Sequence, residues 1–272
     1  MIRDEGDVLD AVLVCPPGPA YFGTVDLDAQ NITAPPDPDP ARLQHAALVA
    51  RMRDFGARVV ESAEPEGQAN ATFTRDPALV TPEGYVALRM GLAARTDEPR
   101  WMAALLEAEG LPRFGAIHAP GTVEGGDVFL AGRVALVTRS ARTNPEGARQ
   151  LSALLEDQGY EVRVTDLPEP YLHLGSVLSV IAPGRVLVLS GALTPRFLDG
   201  FDVLEIPRPR TRATGANLLC LGPNEVVANE GDGDTPIRIL EENGVRVHRL
   251  DLSEFRKGNG GPTCLALPLK RG

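Results

Sequence analysis

EGARQLSALLEDQG, residues 146–159, runs straight into YEVRVTDL, residues 160–167. The first stretch reads as a helix. Gly159 stands where a helix C-terminus favours a left-handed residue, and a β-branched strand follows. The same succession recurs. QHAALVARMRDFG closes at Gly56 before ARVVES, WMAALLEAEG at Gly110 before LPRFGAIHAP, and PIRILEENG at Gly244 before VRVHRLDL. TPRFLDG, closing at Gly200 before FDVLEIP, is a weaker copy. Between these units lie hairpin-like pairs with Gly at the turn, VFLAG–RVALVT and LSVIAPG–RVLVLS. Five α–β units at a period of about 40 to 55 residues predict a propeller or array. A plain doubly wound sheet is the competing architecture, but hairpins interrupt its simple βαβ alternation.

The chain has 272 residues, 43% hydrophobic and 24% charged, an ordinary globular composition that needs no disulfides or structural metal for its core. No linker divides it, so residues 1–272 are expected to form a single α/β domain. The net charge of −10 argues against a nucleic-acid groove and suits a cationic substrate. Three cysteines exclude a full disulfide framework. MIRDEGD at the start has no apolar core, and GSVLSVIAPGRVLVLSG is broken by Pro183, Gly184 and Arg185. A cytoplasmic protein with no membrane or nucleic-acid partner is expected. PPGPAYFGTVDLDAQNITAPPDPDP, residues 16–40, is too rich in Pro and Asp for long regular structure and is expected to serve as a lid.

Cys264 follows the turn Gly260–Gly261–Pro262–Thr263 and precedes the apolar LALPL. Such a thiol either points into a cavity or starts a buried strand. Cys15 and Cys220 sit inside apolar strands and read as structural. Of four histidines, His173 in PYLHLGSVLSVI opens a strongly apolar strand. It fits either a core residue or the acid–base partner of a thiol. Glu124 in GTVEGGDVFLAG, Asp127 beside it, and Asp76 in NATFTRDPALV are carboxylates at the ends of apolar strands, costly unless paired. Local pairing with Arg75 is the bland account of Asp76, and a turn cap that of Asp127. No HExxH, CxxC, GxGxxG, P-loop or GxSxG occurs, so neither metal nor cofactor is expected.

Together FTRDP (73–77), GTVEGGD (121–127), SARTNPEGARQ (140–150), HLGS (173–176) and NGGPTC (259–264) resemble the guanidine-modifying superfamily, the penteins. That family folds as a five-bladed α/β propeller of pseudo-five-fold ββαβ repeats, in agreement with the repeat above. The resemblance implies a cysteine-dependent hydrolase of a guanidino group. Cys264 would be the nucleophile, His173 the acid–base residue, and Glu124 and Asp76 the holders of the guanidinium. Arg142 and Arg89 would bind a substrate carboxylate, and Asn70 would line the pocket.

The resemblance is nearest to the dimethylarginine dimethylaminohydrolase branch, which implies methylated arginine as substrate and citrulline plus an alkylamine as products. Arginine deiminases and amidinotransferases carry an Asp where this chain has Gly175, two residues after the histidine. FTRDP is deiminase-like, and Asn70 and Arg75 stand where the dimethylarginine enzymes carry acids. Hydrolysis of arginine to citrulline or ornithine is therefore the alternative, ahead of amidino transfer and of a non-enzymatic, ribosome-binding pentein. The implied partner is a small cationic guanidino amino acid, and a homodimer is left open.

Overall fold

The structure is a computed structural model that describes residues 1–208 and 215–272. In chain order the elements are β1 (Leu9–Val14), α1 (Pro19–Phe22), α2 (Pro38–Phe55), β2 (Arg58–Glu61), β3 (Ala78–Thr81), β4 (Gly84–Ala87), α3 (Glu98–Ala108) and β5 (Arg113–Ala116). They continue with β6 (Val128–Ala131), β7 (Val134–Arg139), α4 (Pro145–Asp157), β8 (Glu161–Asp166), β9 (Leu178–Ala182), β10 (Arg185–Leu189) and β11 (Asp202–Ile206). The last are β12 (Leu219–Gly222), β13 (Glu225–Asn229), α5 (Asp234–Glu242), β14 (Arg246–Leu250), α6 (Ser253–Arg256) and β15 (Leu267–Arg271).

The strands form five sheets of three, ordered β15-β1-β2, β3-β4-β5, β6-β7-β8, β9-β10-β11 and β12-β13-β14. Each is an antiparallel pair plus a third strand running parallel to the middle one. A parallel return needs a crossover, which explains why a helix precedes the third strand in four of the sheets. The first strands of the sheets neighbour one another, β15 beside β3, β6 beside β9 and β9 beside β12. This is the five-bladed propeller expected from the repeat. The first blade joins both ends of the chain, because β15 pairs with β1.

Local chemistry sets the helix ends. Asp37 accepts a hydrogen bond from Asp39 N at the start of α2, and Asn144 from Gly147 N at the start of α4, each followed by Pro at the first helical position. Gly56, Gly110, Gly159, Gly200 and Gly244 all have positive φ, as the repeat required. The weak copy TPRFLDG does not form a helix. Turns carry the chain across while Phe197 and Leu198 are buried. Three apolar clusters between the sheets and helices make the core. Among the described residues no helix is long and apolar enough to cross a membrane.

Candidate active site

Each blade presents one polar residue just ahead of its first strand: Asp76 before β3, Glu124 before β6, His173 before β9, Asn217 before β12 and Cys264 before β15. Asp76, Glu124, His173 and Cys264 line one pocket with Asn70, Phe73, Arg95, Arg142, and Gln30 and Asn31 of the 16–40 segment. The free space is only about 20 Å³, enough for about one water. The 16–40 segment is tied to the pocket rim through Gln30 and Asn31. Asn70 Nδ2 donates to Gln30 O (3.1 Å) and Oε1 (2.8 Å), and Asn259 Nδ2 donates to Asn31 O (2.8 Å).

His173 Nε2 lies 2.8 Å from Glu124 Oε2, with both residues buried. Burial alone would depress the imidazole. Asp76, the hydrogen bond to Glu124, Asp127 and the Glu124 charge outweigh it and hold His173 near pH 9. For Glu124, burial likewise favours the neutral acid, but His173, Arg95 and Arg142 pull the group down to about 2. The pair is thus an imidazolium and a carboxylate at neutral pH. Glu124 Oε1 accepts from the amides of Gly91 (3.0 Å) and Leu92 (3.1 Å), which fixes the carboxylate plane.

Asp76 does not pair with its neighbour Arg75. Its Oδ2 accepts from Arg95 Nη1 (2.6 Å) and its Oδ1 from Gly126 N (3.1 Å). Arg75 instead turns below the pocket and donates twice to Glu5 (2.7 Å each) and to Val128 O. Gly126 is required by close approach. A Cβ there would lie 2.7 Å from the His173 ring and 3.0 Å from Asp76 Oδ1. Asp127 is more than a turn cap. It accepts from Thr138, Ser140 and Thr143 hydroxyls and from Leu174 N, tying the Arg142 turn to the His173 turn.

Arg89 does not reach the pocket. It forms an isolated bridge with Val123, and its guanidinium donates to Gly121 O (3.2 Å). Arg95, six residues on, lines the pocket instead. Arg95 is also bound by Glu98 through Nε (3.0 and 2.9 Å) and Nη2 (2.7 Å) and by Phe73 O, so its donors are largely engaged. Arg142 lines the pocket and, among the described residues, has no side-chain ion pair. Cys264 is partly exposed to the pocket, whereas Cys15 and Cys220 are buried. Burial and then Asp76 push the Cys264 thiol up, while Gly261, Asn217 and Arg75 act the other way.

Asp76, Glu124 and His173 place one ligand-type atom each within 4.8 Å of one another. Those atoms already engage Arg95, Gly126 N and each other.

The arginine deiminase family profile matches residues 65–194 and 198–271. N(G),N(G)-dimethylarginine dimethylaminohydrolase of Pseudomonas aeruginosa is 31% identical over 233 residues, 85% of this chain and 89% of that protein. Arginine deiminase of Mycobacterium avium is 29% identical, over 83% of this chain and 65% of that protein. In structure, the Pseudomonas aeruginosa dimethylarginine hydrolase complexed with citrulline superposes with a TM-score of 0.82 at 28% identity, over 96% of this chain and 99% of that one. The chain belongs to the arginine deiminase family, within the guanidine-modifying pentein superfamily.

Proposed function

We propose that this chain is a hydrolase of a guanidino C–N bond that converts an N-omega-methylated arginine to citrulline and an alkylamine. The observation that carries the reading is the convergence of a thiol, an imidazolium–carboxylate pair and a second carboxylate on one closed pocket. Asp76 and Glu124 keep free lone pairs for guanidinium N–H groups, holding the cation planar and protonated. The Cys264 thiolate adds to the central carbon. The C–N bond to the alkylamine then breaks, and the nitrogen leaves with the proton His173 shares with Glu124 in the empty pocket. The product on the enzyme is a thiouronium. Water adds to its carbon as neutral His173 accepts one water proton, and the C–S bond breaks with its electron pair leaving on Cys264 Sγ. The remaining hydroxyl proton passes to that thiolate, so that neutral citrulline leaves and the thiol is restored.

The resting thiol is raised by burial and Asp76, so the substrate cation itself promotes ionisation. A unit charge about 4 Å away at an effective dielectric of about 20 contributes roughly 4 kcal/mol, equivalent to about three pKa units.

Gly175 supports the methylated substrate. A Cβ there meets only Gly126 O at 3.6 Å and Asn217 Nδ2 and Phe129 Cζ at 3.7 Å, so a side chain would fit and sterics do not demand glycine. The carboxylate that deiminases place at this position is absent, leaving one guanidinium nitrogen without an anionic partner and free to carry methyl groups. Asn70 and Arg75, in place of acids, support arginine as the second reading.

One assay decides between them: incubation with arginine, monomethylarginine and asymmetric dimethylarginine, with citrulline, ornithine, ammonia and amines quantified. Citrulline with dimethylamine from the dimethylated substrate is expected. Faster ammonia release from arginine would overturn the methylarginine assignment.

A further inference from the structure

Four of the five blades contribute a residue to the chemistry above; the fifth position, ahead of β12, is Asn217. It is 5% exposed, and its Nδ2 lies 3.5 Å from Cys264 Sγ. The orientation of the carboxamide is determined by its other end. Oδ1 accepts from Thr263 N (3.2 Å), an obligate donor, so the NH2 group must face the sulfur. The group is also packed from one side. A Cβ on Gly261 would lie 2.5 Å from Asn217 Oδ1 and 2.7 Å from its Cγ, so the carboxamide rests directly on the Gly261 backbone. Thr263 Oγ1 donates to Leu218 O, stitching the two segments together again.

We propose that Asn217 is a catalytic residue, the fourth blade's donor of a hydrogen bond to the Cys264 sulfur whenever that sulfur is a thiolate. The inference rests on the reading of Cys264 as nucleophile. The sulfur is surrounded by charged groups from the other blades: Asp76, Arg75 and Arg95 from the segment around β3, Glu124 and Arg142 from the β6–β7 blade, and His173 ahead of β9. Among the described residues, Asn217 makes the only side-chain hydrogen bond to Sγ.

Its chemistry suits both halves of the reaction. The donor stabilises the attacking thiolate, loses most of its partner's charge when the sulfur is bonded to carbon in the thiouronium, and stabilises the thiolate again as the C–S bond breaks. A lysine or arginine here would stabilise the thiolate more strongly but would repel the guanidinium cation. A neutral amide does the first without the second.

The test is the pH dependence of Cys264 alkylation by iodoacetamide, read on the Cys264 peptide by mass spectrometry so that Cys15 and Cys220 do not contribute. Wild type, Asn217→Ala and Asn217→Asp are compared, with Cys264→Ser turnover measured alongside. Loss of one donor to an anionic acceptor is expected to reduce the thiolate fraction roughly ten- to a hundred-fold. The alkylation midpoint then moves up by about one to two pH units in Asn217→Ala. It moves further in Asn217→Asp, which keeps the Thr263 contact and the side-chain volume but turns an oxygen toward the sulfur. Turnover near pH 7 falls in the same ratio and partly recovers at higher pH. A midpoint unchanged in a folded Asn217→Asp, the variant that covers misfolding of the alanine form, would overturn the proposal. Full turnover by Cys264→Ser would instead sink the nucleophile reading, while the alkylation midpoints would still report on the contact.

Discussion

Glu124→Gln isolates one charge in the pocket. Glutamine keeps the volume and can still accept from Gly91 and Leu92 through its oxygen, so the backbone frame survives. What is lost is the anion 2.8 Å from His173 Nε2. His173 stands at about 9 against an ordinary 6.5, a net preference for the imidazolium of about 3 kcal/mol. A hydrogen bond to a charged partner contributes roughly 1.5–3 kcal/mol, so its loss lowers the imidazolium by about one to two pKa units. Asp76 and Asp127 remain to hold the rest against burial.

At pH 8 the wild-type ring is mostly protonated; in the variant at least about half of it is neutral. The alkaline limb of kcat, where the general acid is lost, therefore moves down by about one to two pH units, and NMR titration of the His173 ring moves with it. Separately, loss of a guanidinium-binding carboxylate lowers kcat/KM by roughly ten- to a hundred-fold at every pH. An alkaline limb that stays in place while activity falls would show that Glu124 does not set the protonation of His173, and the acid–base reasoning would fail.

The same pair makes stability pH-dependent, as a single interaction seen from two partners. The raised His173 contributes stability that is complete below about pH 6.5 and lost as pH rises through about 9, and the depressed Glu124 contributes stability present above about 4.5 and lost as pH falls through about 2. Urea titrations across pH on wild type and Glu124→Gln should show a smaller alkaline loss, at lower pH, in the variant than in wild type. Arg142→Ala should cost roughly ten- to a hundred-fold in kcat/KM on an amino-acid substrate and far less on its decarboxylated analogue, while Arg89→Ala leaves both within about two-fold; equal losses on both substrates would remove the carboxylate role. Gly175→Asp should shift preference from dimethylated toward unmethylated arginine by about ten-fold or more, measured as the ratio of kcat/KM values. Glu5→Gln leaves a buried Arg75 short of its counter-ion and should destabilise the fold by about 3–5 kcal/mol in urea unfolding.

Much of this molecule is legible in the sequence because its devices are local and repeated. The glycines that close the helices, the hairpin turns and the five-fold period all act over a few residues, and they recur. Cys264, His173, Glu124 and Asp76 are legible because each stands at a turn ahead of an apolar strand. What escapes depends on side-chain direction or long range. Arg75 and Asp76 stand in a turn ahead of β3 and diverge, Arg75 toward Glu5 and Asp76 into the pocket. Arg89 and Arg95 differ only in where the chain leaves β4. The available signal was Glu98, three residues after Arg95, an acid spaced to clamp it. Glu5 meets its partner 70 residues away across the molecule, with no local pattern to betray it. Asn217 had a signal in the repeat, since it occupies in its blade the position that carries the reactive group in the others.

On the proposed reading, the charge layout also favours one orientation of the substrate. At the inner end, the three carboxylates Asp76, Glu98 and Glu124 form ion pairs with two cations, Arg95 and the His173 imidazolium, which leaves that cluster negative. Arg142 supplies positive charge, and the carboxamides of Gln30, Asn31, Asn70 and Asn259 line the mouth without charge. An amino acid with a guanidinium tail can satisfy both ends only with its tail inward and its carboxylate toward Arg142. The reverse orientation sets the carboxylate against Asp76 and Glu124. The same arrangement times the chemistry. Burial and then the Asp76 charge disfavour the Cys264 thiolate, so on the proposed reading the thiol would stay protonated, and slow to be alkylated or oxidised, until a cation offsets that charge. A guanidinium that fills the inner end but carries no carboxylate should therefore still accelerate thiolate formation, though it binds weakly. Guanidinium chloride at sub-denaturing concentration should raise thiolate absorbance at Cys264, and an absorbance that does not change would refute the coupling between substrate charge and nucleophile.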